Sequence, residues 1–259
     1  MNKTEFDFEP VLYSGETISE VNESLRLIQK KNGLTYGTDA YLLSAFVREK
    51  KLGVAADLGS GTGIISLLCA RKNKFSHIHA IEVQESFGEL ISRNAEINNL
   101  SDKISVLCRD LRDITSVDIG YELDAVFSNP PYMRADSGKR NEKDEKYIAR
   151  HEVLGGIDDF CAAAARLLKF GGVFYCVYRP DRLTDLIFSM RQNKLEPKRM
   201  VFVHATDKSE PSVVLIEAKK GGACGLIMLP PLILSKIDEN GTTTMSERAE
   251  EIYSRCSFE

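Results

Sequence analysis

One short run constrains the fold more than any other: Asp57-Leu58-Gly59-Ser60-Gly61-Thr62-Gly63. It follows VAADLG (54–59), which reads as a short buried strand, and precedes IISLLCARK (64–72), which reads as a helix. Three alternating glycines let the backbone turn tightly and let a ligand approach with no Cβ in the way. A glycine turn between a strand and a helix is the context of a nucleotide-type loop at the carboxyl edge of an α/β sheet.

The rest of the chain supplies that sheet. HIHAIEV (77–83), KISVLCRD (103–110), LDAVFSNPP (123–131), VFYCVYR (173–179), RMVFVHA (199–205) and SVVLIEAKK (212–220) read as further strands, which makes seven. Helical patterns fall between them. Residues 85–99 form an amphipathic stretch ending at Asn98-Asn99, and 158–172 is closed by Gly171-Gly172 as a C-cap signal. Pro180 opens a helix reaching about Lys194. Strands alternating with helices imply a mostly parallel sheet covered on both faces. The last two strands are joined through 206–211, too short for a parallel crossover, so they pair antiparallel. Before the sheet, TDAYLLSAFVREK (38–50) reads as a helix with Thr38 as N-cap. After it come an Asp-Glu-Asn-Gly turn and a terminal helix. A chain of 259 residues that is 43% hydrophobic can build one full-sized core. The pattern resembles the class I methyltransferase fold: an α/β, Rossmann-like, seven-stranded sheet with an antiparallel final hairpin. Residues 1–50 then form a short N-terminal extension and 51–259 the S-adenosylmethionine-dependent methyltransferase domain.

The loop chemistry points to the same cofactor. A dinucleotide fingerprint needs G-x-G-x-x-G to approach a pyrophosphate. Here the spacing is G-x-G-x-G, and Ile64 occupies the last dinucleotide glycine position. S-adenosylmethionine has no phosphate and carries an ammonium and a sulfonium, so a carboxylate such as Asp57 beside Gly59, Gly61 and Gly63 is favourable. The loop resembles methyltransferase motif I. Glu82 closes the next strand, about 20 residues on, where an acid takes both ribose hydroxyls. Asp110 ends the third strand, where the resemblance implies a hydrogen bond to the adenine amine.

The fourth strand runs into Ser128-Asn129-Pro130-Pro131-Tyr132. An amino nitrogen on a base or amide is a poor nucleophile because its lone pair is delocalised. The Asn129 side-chain carbonyl and the Pro130 backbone carbonyl can accept its two N–H bonds and aim the lone pair at a sulfonium methyl. Two prolines keep these acceptors rigid, and Tyr132 offers a face for stacking. These residues match the N-P-P-Y motif of methyltransferases acting on planar conjugated nitrogens, in which Asn129 also borders the cofactor.

Several families share this core: DNA and RNA adenine N6-methyltransferases, ribosomal guanine N2-methyltransferases and the glutamine methyltransferases of release factors. The Gly37-Thr38-Asp39 segment, the glycine loop and N-P-P-Y together resemble the bacterial tRNA(Val) adenine-37 N6-methyltransferase family. That resemblance implies an RNA substrate, with Thr38 and Asp39 at the substrate side. Glutamine methyltransferases carry a longer helical N-terminal domain than the segment before residue 50. A noncatalytic RNA-binding module with this fold is opposed by the intact Asp57, Glu82 and Asn129. The net charge of −4 does not decide the partner, because residues 1–24 hold one base against six acids and the remainder is close to neutral. Residues 133–152 hold six bases against five acids, with Lys139, Arg140 and Arg150 as candidate phosphate contacts over the substrate. The four histidines are scattered and form no metal constellation, so no metal is expected. No apolar run can span a membrane, MNKTEFDFEP is no secretory signal, and six single cysteines suit a reduced cytoplasmic protein.

Overall fold

A computed structural model of the chain describes residues 10–22, 24–31, 37–131, 155–237 and 242–259. The first described element is a hairpin that the sequence patterns do not announce: β1 (Glu16–Asn22) runs antiparallel to β2 (Leu25–Lys30). Leu25 and Leu27 of β2 enter the main core. Helix α1 (Thr38–Phe46) follows, capped by Gly37 without a side-chain bond. Thr38 is thus the first helical residue and not the N-cap expected from its type.

The sheet then forms from β3 (Val54–Leu58), β4 (His77–Glu82), β5 (Ile104–Cys108), β6 (Leu123–Ser128) and β7 (Leu168–Tyr178), all parallel in the spatial order β5-β4-β3-β6-β7. The intervening helices are α2 (Ile64–Arg71), α3 (Glu85–Glu96), the short α4 (Ser116–Ile119) and α5 (Ile157–Leu167). Asn99 closes the α3 segment with φ 53°, the left-handed geometry that its Asn-Asn ending suggests. A 3₁₀ turn at Pro180–Arg182 leads into α6 (Leu183–Gln192). The last long strands are β8 (Leu195–His204) and β9 (Pro211–Lys220), antiparallel to one another as their short connection requires. β9 inserts between β7 and β8.

Two short strands, β10 (Ile227–Met228) and β11 (Leu232–Ile233), extend the outer edge of β8, so the sheet has nine strands where the patterns give seven. Two-residue strands leave no periodicity to read. A small hairpin, β12 (Ser235–Ile237) with β13 (Thr243–Met245), and helix α7 (Glu247–Arg255) complete the chain. The Asp-Glu-Asn-Gly turn lies outside the described residues.

Gly171-Gly172 also departs from expectation. Helix α5 ends at Leu167, and the glycine pair lies inside β7 where its register against β6 shifts. Gly171 has φ 77°, and a Cβ on Gly172 would meet the backbone oxygens of Lys169 and Leu123 at 2.9 and 3.1 Å. A left-handed glycine serves a strand bulge as well as a helix cap.

Side chains alternate across the sheet. Ala55, Phe127, Val213 and Leu215 face α1, α2 and α7, while Ala56, Val126, Val214 and Ile216 face α5 and α6. The chain winds outward from β3 through β4 to β5 and then returns to β6 on the other side of β3. The β3/β6 gap is therefore the switch point, where open α/β sheets bind ligands.

Candidate active site

Register fixes what meets at that gap. Leu58 lies beside Ser128, so the glycine turn leaves β3 next to Asn129 as it leaves β6. The buried Ser128 hydroxyl donates to the Leu58 carbonyl at 2.8 Å and ties the two strand ends together. Asn129 is half-buried and Pro130 buried at this rim.

The turn itself is held from several sides. Gly59, Gly61 and Gly63 all have positive φ, at 67°, 55° and 79°. A Cβ on Gly59 would press on the Phe160 ring at 3.2 Å, and one on Gly63 on Ile91 at 3.0 Å, whereas one on Gly61 would point into open space. The outer glycines therefore permit close packing, and the middle one leaves room for a ligand. The Gly59 N–H donates to Ile81 O, and the Ser60 hydroxyl donates to Asp57 O.

Asp57 is 1% exposed. Its Oδ2 accepts from the Ser66 hydroxyl at 2.8 Å and the Ser66 N–H at 3.3 Å, while its buried Oδ1 has no hydrogen-bond partner. Burial pushes this carboxyl up to about 7, opposed by the Ser66 bonds and aided by the charge of Glu82. Ser66 escapes a motif search, but a hydroxyl inside the wholly apolar run of α2 signals a buried polar partner. Glu82 is also buried. Its Oε2 accepts the Gly61 N–H and its Oε1 the Gln84 N–H, both at 3.0 Å. Each oxygen keeps a lone-pair direction for a ligand hydroxyl.

Asp110 stands two residues beyond β5, in a turn. Arg112 grips its carboxylate with Nε at 3.0 Å to each oxygen, and this pairing holds the carboxyl below the usual range. Arg166 of α5 fixes the same turn by donating to the carbonyls of Leu111, Arg112 and Ile114. Neither arginine carries a sequence signal for this role.

Thr38 and Asp39 lie in the first turn of α1. Thr38 lies beside the Tyr253 side chain, whose phenol burial pushes up. Asp39 borders an open groove with Arg179, Pro180, Asp181, Pro211 and Ser212, next to the end of β7. Since β7 neighbours β6, this groove continues the rim that carries Asn129. Tyr132, Lys139, Arg140 and Arg150 lie outside the described residues. His77 and His79 of β4 share the Ser105 hydroxyl of β5, and His79 bonds on to Tyr121 just before β6.

The residues at the gap fit the cofactor expected for them. A buried carboxylate oxygen lacks a partner, a second acid has acceptor capacity left, and the middle glycine opens onto space. A crevice so lined suits a cationic nucleoside with two ribose hydroxyls, and the class it defines is the class I S-adenosylmethionine-dependent methyltransferases. Residues 30–190 match the methyltransferase small domain, and the chain belongs to that family.

Among similar proteins is the tRNA1(Val) (adenine(37)-N6)-methyltransferase of Phocaeicola vulgatus, 32% identical over 71% of this chain and 76% of the relative. The protein of the same name from Aliivibrio fischeri strain MJ11 is 32% identical over 71% of this chain and 77% of its own. A solved structure from Agrobacterium tumefaciens, described as a predicted O-methyltransferase, covers 85% of this chain and 97% of its own at TM-score 0.67 and 21% identity. The tRNA m1G37 methyltransferase of M. jannaschii covers 81% and 58% at TM-score 0.56 and 18% identity. At these identities the two structures speak for the fold.

Proposed function

We propose that this chain methylates the N6 amine of an adenine in tRNA, near the anticodon, with S-adenosylmethionine as donor. The observation that carries the reading is the β3/β6 register, with the Asn129 corner beside the glycine turn. The printed activity of the relatives in Phocaeicola vulgatus and Aliivibrio fischeri supports the substrate class.

The cofactor, when bound, supplies an electrophilic methyl on a sulfonium leaving group. Asp57, the glycine turn and Glu82 would hold it, with Asp110 at its base. The chain's own work is then positioning. The Asn129 amide oxygen and the Pro130 carbonyl accept the two N–H bonds of the adenine amine, and Tyr132 stacks on the ring. The new N–C bond forms as the methyl leaves its sulfonium, which becomes a neutral thioether, and the cationic nitrogen then sheds one proton to solvent. The target base must be unpaired or flipped to reach this corner. Thr38, Asp39, Lys139, Arg140 and Arg150 would bear on the RNA from the rim. Residues 51–259 carry the transferase unit, residues 1–50 are its N-terminal extension, and the cytoplasm is its compartment. No described helix is long and apolar enough to cross a membrane.

Mass spectrometry of tRNA nucleosides from a deletion strain should reveal loss of N6-methyladenosine, and the purified chain should restore it to tRNA from that strain. Unchanged N6-methyladenosine, or label entering protein glutamine instead, would refute the assignment.

Cofactor affinity should also depend on pH. With its value raised to about 7, Asp57 favours the unliganded fold at low pH and loses that contribution as pH climbs through 7. A ligand cation or N–H donor at Oδ1 favours the carboxylate, so binding releases a proton. Calorimetry should find affinity for S-adenosylmethionine rising roughly tenfold from pH 6 to 7.5, and a flatter profile in Asp57→Asn. A profile of equal slope in both proteins would assign the titration elsewhere.

A further inference from the structure

We infer that Asn94 is a positioning residue for the cofactor loop, and that through it the N-terminal hairpin becomes part of the cofactor site. Two asparagines four apart, Asn94 on α3 and Asn98 in the turn that closes it, reach the same strand and are fully buried. Each treats β2 as a neighbouring strand. The Asn94 Oδ1 accepts the Ile28 N–H at 2.7 Å, and its Nδ2 donates to the Ile28 carbonyl at 3.0 Å. Asn98 does the same to Arg26, at 2.9 and 2.7 Å. One edge of β2 pairs with β1, and these two amides hold backbone groups that β1 does not.

The two residues differ in their remaining proton. That of Asn98 stays local, donated back to Asn94 O in the last turn of α3 at 2.7 Å. That of Asn94 leaves the helix and is donated to Thr62 O at 3.1 Å, inside the glycine turn. The Thr62–Gly63 peptide unit is thereby tied at both ends, since the Gly63 N–H donates to Ser60 O at 2.8 Å. A planar peptide held at both ends cannot flip. Gly63 also packs on Ile91 of the same helix. Asn94 thus uses both donors and its acceptor, and exchanging its amide O and N would set donor against donor at Ile28.

The consequence is a link between residues 16–30 and the surface that takes the cofactor. It rests on the glycine turn being that surface, and Asn98 provides the matched control. Asn94→Ala and Asn98→Ala both release the hairpin from α3, so both should lower the thermal midpoint of the unliganded protein to a similar extent. Only Asn94→Ala frees Thr62. Its Kd for S-adenosylmethionine and for S-adenosylhomocysteine, measured by calorimetry, should rise on the order of tenfold, with Asn98→Ala within about twofold of the unaltered chain. Asn94→Asp, which keeps the acceptor for Ile28 N–H but when ionised donates to neither Ile28 O nor Thr62 O, should weaken binding likewise. It serves if the alanine variant does not fold. Equal weakening by Asn94 and Asn98 variants, or unchanged affinity in both Asn94 variants, overturns the inference while the cofactor assignment stands. Failure of the unaltered chain to bind either nucleoside overturns the assignment and the inference with it.

Discussion

Asn129→Ala should lower kcat by about a thousandfold while leaving the Kd for S-adenosylmethionine within about twofold of its normal value. The asymmetry follows from where the residue stands. The cofactor-side carboxylates are Asp57 and Glu82, on β3 and β4, whereas Asn129 leaves β6 on the other side of the gap. Its amide oxygen is assigned to the substrate amine, where hydrogen bonding strengthens as the nitrogen becomes tetrahedral and cationic. Such an interaction is worth more in the transition state than in the ground state, so its loss appears in kcat. The corner that carries it is stiff: Ser128 is latched to Leu58 O, and Pro130 and Pro131 follow. An alanine therefore removes the acceptor without moving the backbone. Asn129→Asp keeps an acceptor oxygen and should retain more activity than the alanine variant. Single-turnover transfer to unmodified tRNA, with cofactor binding measured separately, checks both. Turnover near normal in Asn129→Ala would show that the amine is held by something else.

How much of this site could be read from the chain depended on whether each interaction was local. Asp57, the three glycines and Glu82 sit at the ends of short apolar strands that the sequence locates, and the structure brings them to one gap. The order of strands around β3, which puts Asn129 next to Gly59, depends on the chain returning from β5 to the other side of β3, a reversal that right-handed crossovers permit but do not dictate. The interactions that hold the site from behind were not legible. The clamp of Arg112 on Asp110 spans two residues in an exposed turn, and Arg166 reaches the same turn from 52 to 55 positions away. The hairpin of β1 and β2 shows no readable alternation, because Arg26 and Gln29 are buried on β2 along with its leucines. The Arg26 backbone is gripped by Asn98, 72 residues later, a contact that no local pattern announces. Gly171-Gly172 misled for a different reason: a positive φ is common to a helix end and to a bulge, and only the facing Leu123 distinguishes them.

Glu82→Ala should weaken S-adenosylmethionine binding by about a hundredfold, with kcat at saturating cofactor changed far less. Two losses combine. The ribose hydroxyls lose a charged acceptor, and the Gly61 N–H loses the Oε2 partner that holds the middle of the turn. Each hydrogen bond to a charged group contributes about 1.5–3 kcal/mol, so loss of two gives at least the stated factor. Glutamine is not a conservative replacement here. Both carboxylate oxygens already face backbone donors, Gly61 N–H on one side and Gln84 N–H on the other. An amide must turn its NH2 toward one of them, donor against donor, or rotate away and abandon the turn. Glu82→Gln should therefore bind the cofactor nearly as poorly as Glu82→Ala, within about threefold. If glutamine instead restored normal affinity, neutral acceptance by one oxygen would suffice, and Glu82 would be a brace for Gly61 with no part in holding the ribose.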